Sequence, residues 1–101
     1  MIMKVNVQAV NFDVDKKLVG FINERLQKLE KFYDKIVSYD VFLKVENTSD
    51  RENKQAEIKV NIPGDDLMVK KTSKSFEESV DEAIESLERM LIKTKEKIQK
   101  H

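Results

Sequence analysis

The side chains in this sequence that could form a binding site are rows of lysine and arginine in two segments with helical periodicity. They are Arg25, Lys28, Lys31 and Lys35 in the first segment and Arg89, Lys93 and Lys97 in the second. Residues three or four apart lie on the same side of a helix, so each row forms a line of positive charge. Such lines bind phosphate groups, and an anion-binding surface is therefore the first candidate site.

Two ordinary explanations compete with phosphate binding. Residues 73–88 hold six acids and one base, whereas residues 89–101 hold five bases and one acid. Acids near the start of a helix and bases near its end complement the helix dipole, although this effect fades beyond the terminal turn. The basic row of the first segment is also compatible with a solvated helix edge whose lysine stems cover apolar surface.

The sequence offers little material for catalysis. Its only histidine, His101, is the last residue, and no cysteine is present. The serines lack a positioned base, and the Asp65-Asp66 pair is explained by a turn. Gly20 and Gly64 are the only glycines, so a glycine-rich phosphate loop is absent. We therefore predict no enzyme activity, no metal and no cofactor.

Length and composition favour a single domain over residues 1–101 with one hydrophobic core. The chain has 19 basic and 19 acidic residues, and 38% of its residues are charged. A net charge of zero does not favour nucleic-acid binding, so the distribution of charge matters. The absence of cysteine fits a reducing cytoplasm, and we predict neither a membrane span nor a signal peptide.

Hydrophobic patterning predicts four strands and two helices. Alternation predicts strands over residues 3–9, 39–46, 56–62 and 67–72, with Pro63-Gly64 in a type II turn. Spacing of three and four predicts a first helix from Lys16 to residue 32 or 33, capped by Asp15. The same spacing predicts a second helix over residues 75–101, where Ser75 and Glu78 form a capping box.

The second helix carries the longest apolar stripe. Its members are Phe76, Val80, Ala83, Ile84, Leu87, Met90, Leu91 and Ile98. The order β-α-β-β-β-α predicts an α+β fold, a two-layer sandwich with a four-stranded sheet and both helices on one face. In this arrangement we expect the basic edges of the two helices to lie side by side along a shared groove.

The chain as a whole resembles the short ribosome hibernation-promoting factors and ribosome-associated translation inhibitors, also called sigma-54 modulation proteins. The resemblance covers nearly all 101 residues. The segments that carry it are KVNVQAVNFDVD, RLQKLEKFYDKI, VFLKVEN, QAEIKVNIPGDDLMVK and SVDEAIESLERMLIKTKEKIQKH. Their order and spacing make the resemblance specific.

The resemblance implies a fold related to double-stranded RNA-binding domains, without the C-terminal dimerisation domain that long family members carry. It implies binding in the decoding channel of the small ribosomal subunit, translation inhibition and protection of idle ribosomes in starved bacterial cells, without enzyme activity. It also implies a cytoplasmic, ribosome-associated protein that contacts ribosomal RNA, and we expect a monomer off the ribosome with no small-molecule substrate. The family's basic positions fall on Arg25, Lys28, Lys31, Arg89, Lys93 and Lys97. A position that is often lysine in enterobacterial members is Ser86 here.

Two other functions remain open from the sequence. A protein-interaction module that modulates transcription would need an exposed apolar patch, for which Phe42 and Met68 are the candidates. A free double-stranded RNA binder would bind naked duplex nearly as well as ribosomes.

Overall fold

The computed structural model describes residues 4–10, 12–46 and 53–99, with side chains up to residue 97. The elements in chain order are β1 (Lys4–Val10), α1 (Lys16–Gln27), a 3₁₀ turn (Lys28–Lys31), β2 (Ser38–Val45), β3 (Lys54–Ile62), β4 (Asp65–Ser73) and α2 (Phe76–Gln99). The predicted order and the α+β class are confirmed. Predicted inward positions at Met3 and Ile98 lie outside the described side chains.

The four strands form one sheet in the order β1-β2-β3-β4. β1 pairs with β2 in parallel, and the other neighbours pair antiparallel. Every second residue of β2 and β3 is buried, because alternate side chains point to opposite faces of a sheet. The inward residues of β1 are only half-buried, so the core is thickest under the middle of the sheet.

The β3–β4 turn follows from its two central residues. Gly64 has a φ of 82°, which is the conformation that the third position of a type II turn requires and that glycine adopts without a steric penalty. Ile62 and Asp65 face each other across this turn. Asp65 and Asp66, which we placed in the turn, therefore already belong to β4.

The first helix ends earlier than its apolar spacing predicts. Asp15 caps it as expected, since its Oδ1 accepts a hydrogen bond of 2.7 Å from the Leu18 amide. The α-helical pattern stops at Gln27 and continues as a 3₁₀ turn. Residues 32 and 33 both donate their amides to the Leu29 carbonyl, at 3.0 and 3.2 Å. Tightening of the last turn is common at helix ends, and here it keeps Leu29 buried.

Both helices cover the same face of the sheet and bury their apolar stripes there. Fully buried members of this core include Ile22, Leu26 and Leu29 from the first helical segment, Val41, Leu43, Ile58 and Val60 from the sheet, and Val80, Ala83, Leu87 and Leu91 from α2. The Ser75 hydroxyl accepts a hydrogen bond of 3.2 Å from the Glu78 amide, so the Ser75 side chain caps α2 as one half of the predicted capping box requires. The core fixes the rotation of each helix and therefore the direction of its charged residues.

Tyr39 ties β2 to the end of α1. Its side chain is fully buried, and its hydroxyl donates a hydrogen bond of 3.2 Å to the Leu26 carbonyl. Burial, with a smaller effect from the charge of Glu30, raises the pKa of Tyr39 above its ordinary value. The neutral phenol is therefore the form that stabilises the fold. This contribution is present below the unfolded pKa, about 10, and is lost as pH rises above that value.

Tyr39→Phe is expected to lower the free energy of unfolding at pH 7 by about 1 kcal/mol, the net value of one hydrogen bond. Between pH 9 and pH 11 the variant should lose less stability than the wild type, because it has no phenol to ionise. Urea unfolding of the wild type and the variant at pH 9 and pH 11 measures this difference. Parallel losses in the two proteins would show that Tyr39 ionisation does not affect stability.

Candidate nucleic-acid interface

The carboxyl end of the first helical segment presents three predicted site lysines. Lys28 and Lys31 lie at the two ends of the 3₁₀ turn, and Lys35 lies in the loop that leads to β2. All three are exposed. None of them forms a salt bridge with another described residue, so their charges are available to a ligand.

Arg25 is held differently from these lysines. Its Nε lies 3.0 Å from Asp81 Oδ1 on α2, and its guanidinium lies 4.6 Å from the centre of the Phe21 ring. The Nε hydrogen is not aligned with the carboxylate, so the contact is an ion pair without a good hydrogen bond. With side chains 33% and 51% exposed, the pair contributes at most about 1 kcal/mol. Arg25 therefore joins α1 to α2.

The basic row of α2 follows the outer side of that helix. Asp81 marks the side that faces α1, and at about 100° per residue Arg89 lies about 80° around the axis from it. Arg89 lines a shallow cavity with Lys71 of β4, together with Ser86. Lys93 and Lys97 are exposed and continue the row away from α1.

The structure matches the expected shared groove only in part. Lys95 of α2 lines a cavity with Lys31 and Lys35, whereas the Arg89 row turns away from α1 toward β4. The reason is the buried stripe of α2, which leaves only one possible rotation over β3 and β4. Arg89 forms an ion pair of 3.4 Å with Glu85, but the side chains are 74% and 68% exposed. Such a pair is weak and leaves Arg89 open to other anions.

Lys95 is a cation that the sequence analysis did not select. It lies two helical repeats of seven residues beyond Asp81, so it projects toward α1. It lines a cavity of about 410 Å³ together with Lys31 and Lys35. The spacing from Asp81 could have identified it, but only with the knowledge that Asp81 contacts α1.

The opposite end of the helix layer is acidic and aromatic. Phe12 and Phe76 stack there with ring centres 4.8 Å apart and planes 12° apart. Asp13, Asp15 and Glu77 line a neighbouring cavity of about 510 Å³. Acids therefore gather in the first half of α2, whereas the first turn of α1 holds no acid, and lysines lie at the carboxyl ends of both helical segments.

The outer face of the sheet is mainly polar. Asp40, at its centre, accepts hydrogen bonds of 3.1 Å from both Asn6 and Asn61, and these bonds lower the pKa of the Asp40 carboxyl. Met68 is 52% exposed and Phe42 is half-buried. They are not cross-strand neighbours, because Met68 pairs with Lys59 and Phe42 pairs with Glu57. The described residues thus form no continuous apolar patch on this face.

No cluster of three or more histidine, cysteine, aspartate or glutamate side chains suited to a metal ion occurs among residues 4–10, 12–46 and 53–97. Neither of the two described helices is both long and apolar enough to cross a membrane.

The sequence matches the family model described as sigma 54 modulation protein / S30EA ribosomal protein over residues 5–99. It is also similar to a ribosome hibernation promoting factor of Pseudomonas putida, with 29% identity over 97 residues, covering 96% of this chain and 91% of the relative. A protein of the same name from Escherichia coli strain K12 is 28% identical over 99 residues, covering 98% of this chain and all of the relative.

Two solved structures have the same fold. A ribosomal subunit interface protein from Coxiella burnetii superposes with a TM-score of 0.81 at 18% identity, covering 93% of this chain and 98% of that chain. The N-terminal domain of Protein Y from Thermus thermophilus superposes with a TM-score of 0.78 at 19% identity, covering 93% and 99%. At these identities the likeness concerns the fold.

Proposed function

Because this chain belongs to the sigma 54 modulation protein / S30EA ribosomal protein family, we propose that it is a ribosome hibernation factor. In this proposal it binds the small ribosomal subunit in the decoding channel, where mRNA and tRNA would lie. It inhibits translation and protects idle ribosomes under stress or in stationary phase. It acts in the cytoplasm by occupying a site, without catalysis.

The observation that carries this proposal is the separation of charge in a chain of zero net charge. Exposed lysines lie at the carboxyl ends of both helical segments, and the acids of α2 gather in its first half. The candidate RNA-contacting residues are Lys28, Lys31, Lys35, Arg89, Lys93 and Lys97. Arg25 contributes charge and forms an ion pair with Asp81 of α2.

This arrangement suits phosphate recognition on a folded RNA. Lysine contacts to phosphates give affinity but carry no sequence information. Specificity then comes from the shape into which the two-layer domain fits, as is common in the recognition of RNA helices. An outer sheet face without an apolar patch does not favour a transcription modulator that docks through that face.

Competition with mRNA tests the position of the site. Small subunits pre-incubated with the protein should bind a labelled leaderless mRNA fragment at least tenfold more weakly, because both ligands need the same channel. Filter binding measures the mRNA affinity, and the variant Lys44→Gln, at an exposed lysine on the outer face of the sheet, serves as the matched control. Simultaneous binding of protein and mRNA with unchanged affinities would exclude the decoding channel.

A further inference from the structure

The cavity between the end of α1 and the last turns of α2 has features of a ligand site. Its volume is about 410 Å³, which falls within the usual range of small-molecule sites. Its lining residues are Glu30, Lys31, Phe32, Tyr33, Asp34, Lys35 and Lys95. The lysines come from three different elements, so the fold and not a single helix face brings them together.

The three lysines line one cavity, and none of them forms a salt bridge with another described residue. Like charges that approach each other raise the energy of the folded protein, and side chains as long as lysine can turn away. Glu30 and Asp34 line the same cavity, yet neither forms a salt bridge with these lysines. A bound anion would remove the repulsion, and a phosphate group is the anion that RNA supplies.

An aromatic ring lines the same cavity. Phe32 is half-buried, whereas the neighbouring Tyr33 is buried in the core with 7% of its surface exposed. Part of the Phe32 ring therefore remains accessible next to the lysines. Aromatic rings beside cations are the usual platform for unpaired nucleobases, since every base has a face that stacks.

We propose that this cavity binds one unpaired ribonucleotide of ribosomal RNA. Its base stacks on Phe32, and its flanking phosphates contact Lys31, Lys35 and Lys95. A base inside a duplex cannot reach the ring, so the site selects a bulged or looped nucleotide. Glu30 and Asp34 supply acceptors for the ribose 2′-hydroxyl or for a base amino group, which explains acids in a cationic site. The proposal rests on the proposed function, which supplies RNA as the partner.

Two variants separate the stacking from the charge. Phe32→Leu keeps apolar volume but removes the ring, and Lys95→Gln removes one charge. Lys44→Gln, an exposed lysine on the outer face of the sheet, is the matched control. The assays are fluorescence anisotropy with a short labelled single-stranded RNA, the same with a blunt RNA duplex, and sedimentation with small subunits stripped of mRNA.

Phe32→Leu is expected to weaken binding to the single strand and to small subunits about tenfold, with an unchanged salt dependence. Lys95→Gln should reduce the slope of log affinity against log salt by about 0.7 for the single strand. The affinity of Phe32→Leu for the RNA duplex should not change. The affinities of Lys44→Gln for the single strand, the duplex and the small subunit should not change either. Circular dichroism of each variant verifies that the fold is retained.

Two outcomes overturn the proposal in distinguishable ways. If the wild type binds small subunits while Phe32→Leu and Lys95→Gln both behave like Lys44→Gln, the nucleotide site is excluded and the proposed function stands. If the wild type leaves small subunits unbound, the proposed function fails and the nucleotide site fails with it.

Discussion

The double charge reversal Lys28→Glu and Lys93→Glu is expected to weaken binding to the small ribosomal subunit at least a hundredfold. Each lysine is exposed and lies in a different basic row. A charge-assisted contact contributes about 1.5–3 kcal/mol, so the loss of two contacts costs at least about 3 kcal/mol before repulsion is added. Quantitative sedimentation at fixed magnesium concentration measures the change in affinity.

The matched control for this experiment is the double variant Lys4→Glu and Lys44→Glu. It changes the net charge by the same amount, but both lysines lie on the outer face of the sheet. Its affinity should stay within about threefold of the wild type. Charges far from the binding surface act mainly through long-range electrostatic fields, and salt screens these fields. Equal losses in both double variants would mean that binding responds to net charge alone and that the basic rows are not the site.

Leu87→Ala is expected to have the largest effect on stability. Leu87 is fully buried in the middle of α2, where that helix packs on the sheet. Removal of a buried leucine side chain leaves a cavity and costs about 3 kcal/mol, a large share of the roughly 5–15 kcal/mol that stabilise a domain. The melting temperature should fall by roughly 15 °C. Urea unfolding gives the free energy directly.

Ile92→Ala on the same helix is the control for Leu87→Ala. Ile92 is 38% exposed, so truncation removes less buried surface, and the better helix propensity of alanine offsets part of the loss. We expect a cost below about 1 kcal/mol. If the two substitutions cost the same, Leu87 would not lie in the core and the rotation of α2 described above would be incorrect.

Most of the fold follows from local patterns in the sequence. Alternation in β2 and β3, the Pro63-Gly64 turn and the Asp15 cap each correspond to features of the structure. The end of α1 could not be predicted in the same way. A spacing of three residues stays on one face in both an α-helix and a 3₁₀ turn, so Leu26 and Leu29 continue the apolar pattern past Gln27.

The arrangement of the site depends on contacts that the sequence does not display. The cations were predicted from their spacing, and that spacing does place Lys93 on the outer side of α2. Which side of α2 faces α1 depends on the order of the strands, because α2 follows the edge strand β4. For that reason neither the contact of Arg25 with Asp81 nor the approach of Lys95 to Lys35 could be foreseen.

Sedimentation of the wild-type protein with purified small and large subunits over a series of potassium chloride concentrations tests whether the small subunit is the binding partner. We expect binding to the small subunit, little binding to the large subunit, and an affinity that falls about a thousandfold between 50 and 200 mM salt for six phosphate contacts. Small subunits that remain free of protein at the lowest salt concentration would show that the protein is not a small-subunit ligand.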